Sequence, residues 1–267
     1  MTRADSELPL LAPRHQRILD SVEEHRMVEV AQLAEELGVS AVTIRTDLDM
    51  LDRRRLLRRI RGGAIAVRPA RFQRPLDLLM HSFNGEKERI GAMAARMVRD
   101  GETIILDAGT TTLAMAALLP DNLRDVVVLT SSLEIALTLN THPGVSVFVT
   151  GGKLKKTGRN SNSRSLIPPY ATHLLEQINA DCAYLCCAGI DAQRGFTNAF
   201  LDEIPIKRAM LSSARRAVML GDNGKLGHVA GALIADLSEV TTLITDSGAR
   251  PNQLQALEAR GLEVLRA

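Results

Sequence analysis

The sequence predicts an α/β protein in two parts: an N-terminal winged helix-turn-helix and a C-terminal, mostly parallel, doubly wound sheet. Three observations predict it. The stretch LAEELGVSAVTIRTDLDML, from Leu33 to Leu51, sets a glycine and then a serine between two segments of helical apolar spacing. That is how one helix ends and another starts through a very tight turn. Between Ser40 and Pro75 there are ten arginines against three aspartates, a local charge of +7 in a chain whose net charge is +2. From about residue 83 onward, apolar runs of strand length alternate with helical periods, which argues for parallel strands covered by helices on both faces.

The first helix is expected over Pro13–His25, with Ile18, Leu19 and Val22 as its apolar stripe. Val28 and Val30 suggest a short strand before a second helix at Ala31–Leu37. Gly38 ends that helix because glycine tolerates positive φ, and Ser40 caps the third. In the third helix Ile44, Leu48 and Leu51 face inward. Val42, Thr46 and Asp49 are left on the opposite side, flanked by Thr43 and Arg45. LLRRIRGGAIAV then reads as a hairpin around Gly62 and Gly63, the wing, with Arg59 and Arg61 on one face of its first strand. Arg68 to Ser82 holds two prolines and no sustained period, as a linker does. The expected division is therefore 1–67 for the winged helix, 68–82 for the linker and 83–267 for the α/β domain.

In the second part helices are expected at Gly85–Val98, Thr111–Leu119, Leu133–Asn140, Tyr170–Ile178, Asp202–Ala214 and Asn252–Arg260. The intervening strands are Thr103–Leu106, Val126–Leu129, Val145–Val149, Cys182–Cys187, Ala217–Leu220 and Val240–Thr245, with a closing strand at the end. Neither an apolar run of membrane-spanning length nor an apolar segment behind the first charges is present, so the expected location is the cytoplasm, with no membrane partner. Cys182, Cys186 and Cys187 are odd in number and have no histidine nearby. They suggest packing in a buried strand rather than a disulfide or a metal site.

Ligands of open α/β sheets bind beyond the carboxyl ends of the strands. Four of these junctions are rich in glycine and hydroxyl groups: Asp107-Ala108-Gly109-Thr110-Thr111-Thr112, Thr130-Ser131-Ser132, Thr150-Gly151-Gly152-Lys153 and Ala188-Gly189-Ile190-Asp191. Singly, each reads as ordinary helix capping. Together at one sheet edge they favour a small phosphorylated ligand, held by backbone N–H groups and the helix dipole. Neither G-x-G-x-x-G nor G-x-x-x-x-G-K-[ST] occurs, so neither a dinucleotide nor a P-loop triphosphate is implied, and no cofactor or metal is expected. Lys225 in GDNGKLG adds a cation. Glu203 and Lys207 lie four apart in LDEIPIKRAM, and read either as site residues or as a surface i,i+4 pair.

These segments resemble the DeoR-type bacterial transcriptional regulators. The matching run in the first part is VEVAQLAEELGVSAVTIRTDLDMLDRRRLLRRIRGGA, Val28 to Ala64. In the second it is the helix EKERIGAMAARM, then ILDAGTTT, VLTSSLEIALTL, VTGG, AGID with GFT, DEIPIKRAM, DNGK and LITD. Thr46 stands where that family usually has the second arginine of TIRRDL, Ser131 where it has asparagine, and Ile167 where it tends to have glycine before proline. The resemblance implies a sensor domain similar to ribose-5-phosphate isomerase. It also implies a repressor of a carbohydrate operon that binds a double-stranded DNA operator as a dimer or tetramer, controlled by a phosphorylated sugar or polyol. Ser40, Val42, Thr43, Arg45 and Thr46 would then meet base edges and nearby phosphates, and Arg53, Arg54, Arg58, Arg59 and Arg61 the phosphate backbone. The effector would lie among Asp107, Gly109, Thr110, Thr111, Thr112, Ser131, Ser132, Gly152, Gly189, Asp191, Glu203 and Lys225. The rival is a sugar-phosphate isomerase-like enzyme, with Asp107, Asp191 or Glu203 as general base and Lys225 as electrostatic stabiliser; that reading leaves the basic winged helix without a role.

Overall fold

Three helices and a three-stranded sheet make the N-terminal unit: α1 (Pro13–His25), β1 (Met27–Glu29), α2 (Val30–Leu37), α3 (Ala41–Arg53), β2 (Arg58–Ile60) and β3 (Gly63–Ile65). The computed structural model describes residues 13–25, 27–53, 56–65, 84–156 and 164–267, and the chain divides into two units at Arg74/Pro75. The expected linker, Arg54 and most of TGRNSNSR lie outside the described residues. Gly38 adopts φ 65°, and its N–H closes back onto Ala34 and Glu35, so α2 stops in the left-handed conformation that glycine holds at little cost. Ser40 Oγ accepts the Thr43 N–H at 3.1 Å and starts α3. Ile18, Leu19, Val22, Leu33, Ile44, Leu48 and Leu51 are buried together at the centre of this unit. The wing strands pair in the order β1-β3-β2, all antiparallel. Arg61 lies in the turn between β2 and β3 rather than in a strand, which corrects the expectation that it shares a strand face with Arg59.

The C-terminal unit is built on a seven-stranded sheet of order β15-β14-β12-β9-β4-β5-β6. Its strands are β4 (Thr103–Leu106), β5 (Val126–Thr130), β6 (Val145–Val149), β9 (Ala180–Cys186), β12 (Ala214–Leu220), β14 (Thr242–Thr245) and β15 (Glu263–Arg266). Every neighbouring pair is parallel. Helices α4 (Asn84–Ala95), α5 (Thr110–Ala117) and α6 (Leu133–Leu139) cover one face. Helices α7 (Ile204–Ser212) and α8 (Pro251–Glu258) cover the other. The central strands read as unbroken apolar runs because successive side chains are buried in opposite layers, Ile104 and Leu106 in the first and Ile105 in the second. Cys182 and Cys186 are buried in β9, and Cys187 just behind it. Burial pushes the Cys182 thiol up to about 11 and that of Cys187 up to about 12, so both are neutral packing groups near pH 7.

Two parts of this unit differ from the sequence reading. Residues 170–178 form turns with a 3₁₀ segment at Leu175–Gln177, not an α-helix. Ala171 and Leu175 supply the i,i+4 apolar spacing, yet His173, Gln177 and Ile178 bond backward by three residues, the tighter pattern of a short connector. A separate antiparallel sheet of β10 (Gly189–Asp191), β11 (Gly195–Asn198) and β13 (Ala232–Ala235) was not expected. Nor was the small pair of β7 (Lys153–Leu154) and β8 (Leu166–Ile167), which is antiparallel.

Candidate functional site

A parallel sheet delivers all of its strand carboxyl ends to one edge. The loops after β4, β5, β6, β9 and β12 therefore share that edge, although they are spread from Asp107 to Lys225 along the chain. At its centre the Asp107 carboxylate accepts the N–H groups of Ala108 at 2.9 Å and Cys186 at 3.0 Å, and it is ion-paired with Lys207. The Lys207 ammonium also donates to the Cys186 carbonyl at 2.9 Å. Burial alone would lower the Lys207 pKa, but Asp107 and Glu203 outweigh it and hold the ammonium form. Glu203 in turn pairs with Lys155 and accepts a 2.6 Å bond from the Asn198 amide, and the Lys155 ammonium lies 3.9 Å above the Phe200 ring. For Glu203 too, burial would raise the pKa; Lys207, Lys155 and Asn198 outweigh it and hold the carboxyl below its ordinary value. Glu203 and Lys207 are thus not a surface pair. Each reaches a different buried partner, which the i,i+4 spacing does not announce.

The loop after β4 presents a helix start that the chain itself leaves open. Gly109 is the N-cap of α5 and has no side chain to accept the first N–H groups. A Cβ there would come 2.6 Å from the Cys186 sulfur, so a side chain at this position would collide with the last residue of β9. Thr112 is engaged, its hydroxyl donating to the Asp107 and Gly109 carbonyls at 2.7 and 3.0 Å. Thr110 is half-buried, and the fully buried Thr111 hydroxyl makes no hydrogen bond among the described residues. The next loop is different. Ser132 caps α6 by accepting the Ile135 N–H at 3.3 Å, and Ser131 takes the Leu166 N–H on its carbonyl.

Gly152 has φ 115°, and a Cβ on it would meet the Ile167 carbonyl at 2.5 Å; a Cβ on Gly189 would meet the His228 carbonyl at 2.3 Å. Both glycines are required by close backbone packing. The Asp191 carboxylate is turned onto its own hairpin, accepting the Gln193 and Arg194 N–H groups, each at 2.9 Å. Lys225 is ion-paired with Asp222 at 3.5 Å; burial would lower its pKa, and Asp222 more than offsets it. Lys155, Asn198 and Asp246 were missed as members of this edge, and the sequence leaves Lys207 open between site residue and surface pair. Asp246 holds Asn223 by two 2.7 Å bonds to its backbone and side-chain nitrogens. Lys155 comes from KLKK, in which Lys153, Leu154 and Lys156 stay exposed and Lys155 alone is buried, a distinction the local sequence does not mark.

In the N-terminal unit the exposed face of α3 carries Val42, Arg45, Thr46, Asp49 and Arg53, with Thr43 half-buried beside them. Asp47, on the inner face, accepts from Arg14 at 2.6 and 3.1 Å and faces His15 at 2.9 Å, which fixes α3 against α1. Arg58 is exposed at the start of β2, and Arg61 is exposed in the wing turn. Arg59 is committed internally, to Asp49 at 2.8 Å and the Gly63 carbonyl at 3.0 Å.

Residues 14–70 match the family model described as the DeoR-like helix-turn-helix domain, and residues 82–247 match the DeoR C terminal sensor domain. The chain belongs to the DeoR family. DeoR-family relatives include the HTH-type transcriptional repressor GlcR of Bacillus subtilis, 33% identical over 93% of this chain and 93% of its own length. The HTH-type transcriptional regulator GolR of Listeria innocua is 31% identical over 94% and 96%. Among solved structures, the probable sor operon regulator from Shigella flexneri is 11% identical, covering 66% of this chain and 90% of that one with a TM-score of 0.45. Ribose 5-phosphate isomerase A from Methanocaldococcus jannaschii is 16% identical, over 54% and 55%, with a TM-score of 0.39.

Proposed function

We propose that this DeoR-family transcription regulator is a repressor of a carbohydrate operon, released from or fixed on its operator by a phosphorylated sugar or polyol at the carboxyl edge of the sheet. Residues 1–67 form the DNA-binding domain, 68–82 the linker and 83–267 the sensor. The observation that carries the effector reading is the open N-terminus of α5 at Gly109 beside the Thr111 hydroxyl, which has no partner among the described residues. A phosphate there would accept several N–H bonds and meet the positive end of the helix dipole. Gly152, Gly189 and the lysines that neutralise Asp107, Glu203 and Asp222 shape the surrounding edge. The names of relatives such as the repressor GlcR support the repressor reading.

The ligand is sensed rather than turned over. Asp107 and Glu203, the carboxylates best placed to act as bases, are each held by a lysine, and Asp191 serves its own hairpin. The protein acts in the cytoplasm as a dimer or tetramer, since paired half-sites mirror protein symmetry. To move operator occupancy from about 1:99 to 99:1, the effector must prefer one arrangement of the paired reading domains by about 5.5 kcal/mol. Phosphorylated sugars and polyols screened for thermal stabilisation of the full chain, then for displacement of DNA from upstream of its own gene, test this. At least one is expected to do both. Turnover of ribose 5-phosphate or another panel member at ordinary enzymatic rates would instead establish the rival.

A further inference from the structure

A lone valine on a protein surface is unremarkable, because apolar atoms supply more than half of any folded surface. Val42 is informative because of where it stands. It is the second residue of α3, in the first turn, whose residues reach base edges when such a helix enters the major groove. It is 67% exposed and is the one large exposed hydrophobic of α3 among the described residues. Its polar neighbours are already engaged with the helix itself. The Thr46 hydroxyl donates to the Val42 carbonyl at 3.1 Å. The Thr43 and Ser40 hydroxyls lie 2.8 Å apart, and Ser40 also caps the Thr43 N–H. Across this part of α3, then, the chain offers the Val42 isopropyl group and, one turn on, the Thr46 methyl, while Arg45 beside them supplies the charge.

In the major groove one base displays an apolar group, the 5-methyl of thymine. We infer that Val42, with the Thr46 methyl, reads a thymine methyl in each operator half-site. This rests on the DNA-binding reading above and adds to it the chemical feature recognised. The valine has no hydrogen bond to give, so it discriminates by apolar contact alone, and uracil, which pairs as thymine does, lacks the group it touches.

The test uses the full chain and duplexes that the chain enriches from a random pool. The tightest duplex is resynthesised with deoxyuridine replacing thymidine at one position at a time, and each dissociation constant is measured at fixed salt. One position per half-site is expected to weaken binding about three- to tenfold, the scale of one lost apolar methyl contact. Val42→Ala, an exposed change to a better helix former, is expected to weaken the thymidine duplex by a similar factor and to erase the penalty at that position. Thr46→Ser, which keeps the hydroxyl and removes the methyl, is expected to reduce the penalty. The inference is overturned if no uridine position changes affinity by more than about twofold, or if Val42→Ala retains the full penalty. Failure to enrich any duplex would overturn the DNA-binding reading itself and this inference with it, and is distinguishable from both.

Discussion

The two units use positive charge in opposite ways. In the N-terminal unit Arg14 and Arg59 are paired within the fold, but four further arginines lie on the outside: Arg45 and Arg53 on α3, Arg58 on β2 and Arg61 in the wing turn are exposed, where each ion contact is weak and screened by salt. In the C-terminal unit Lys155 and Lys207 are buried, each against its own carboxylate. A charge removed from water must keep its partner, so these lysines hold three loops in one fixed relation. The first arrangement suits a polyanion met at many registers. The second suits a small ligand that must find its donors already in place.

Lys207→Met would put this contrast under the greatest strain. It leaves the Asp107 carboxylate buried without its counterion and is expected to cost about 3–5 kcal/mol in denaturant unfolding, with much of the loss recovered by adding Asp107→Asn. A cost below about 1 kcal/mol would show that the pair has no structural weight. Gly189→Ala follows, since its Cβ would press on the His228 carbonyl; about 1–3 kcal/mol of destabilisation is expected, with the salt dependence of DNA binding unaltered. On the outer surface, Arg45→Ala and Arg58→Ala should leave thermal unfolding nearly unchanged. Each should make the slope of log affinity against log salt shallower by about 0.9. Arg59→Ala should differ from both by destabilising the wing, because its guanidinium ties β2 to Asp49 and Gly63.

Acid sharpens the same contrast. Glu203 is held below its ordinary value by its lysines, so its contribution to stability is present above the ordinary glutamate value of about 4.3 and is lost as pH falls through its lowered one. Glu203→Gln should flatten that part of the stability curve, read by thermal unfolding from pH 5 downward. The smallest effect is expected from Glu86→Ala. Its exposed 3.5 Å pair with Arg89 should be worth no more than about 0.5 kcal/mol.

What the sequence conveyed about this fold was local. Gly38 and Ser40 located the turn between α2 and α3 because backbone φ and capping are decided within a few residues. The apolar runs at 103–106 and 126–130 located strands because both of their faces are largely buried, whereas 145–149 was legible from its β-branched and aromatic residues although it is a partly exposed edge strand. The helix expected over 170–178 failed because Ala171 and Leu175 meet a helical period while most of the backbone bonds close at three residues, with Glu176 to Thr172 closing at four. The strands at 189–191 and 195–198 went unseen because each begins at a glycine, which reads as punctuation. At the candidate site, the glycines and threonines of the loops were legible as a class. Which of them are committed within the fold was not, since Ser132, Thr112, Gly189 and Asp191 are distinguished by partners that only folding brings near. The lysines were least legible of all: whether Lys155 and Lys207 are surface or interior depends on residues 48 and 100 positions away.

That last separation bears on how the protein is made. The bond between Asp107 and Lys207 closes a loop a hundred residues long, whereas the last described strand of the winged helix ends at Ile65. Emerging from the ribosome at about 5–20 residues per second, the reading head can fold several seconds before the sensor edge has its ammonium groups. During synthesis the helix-turn-helix unit therefore has its residues in hand well before the carboxyl edge of the sheet does, and a product that ends short of residue 207 would leave Asp107 without the ammonium it pairs with.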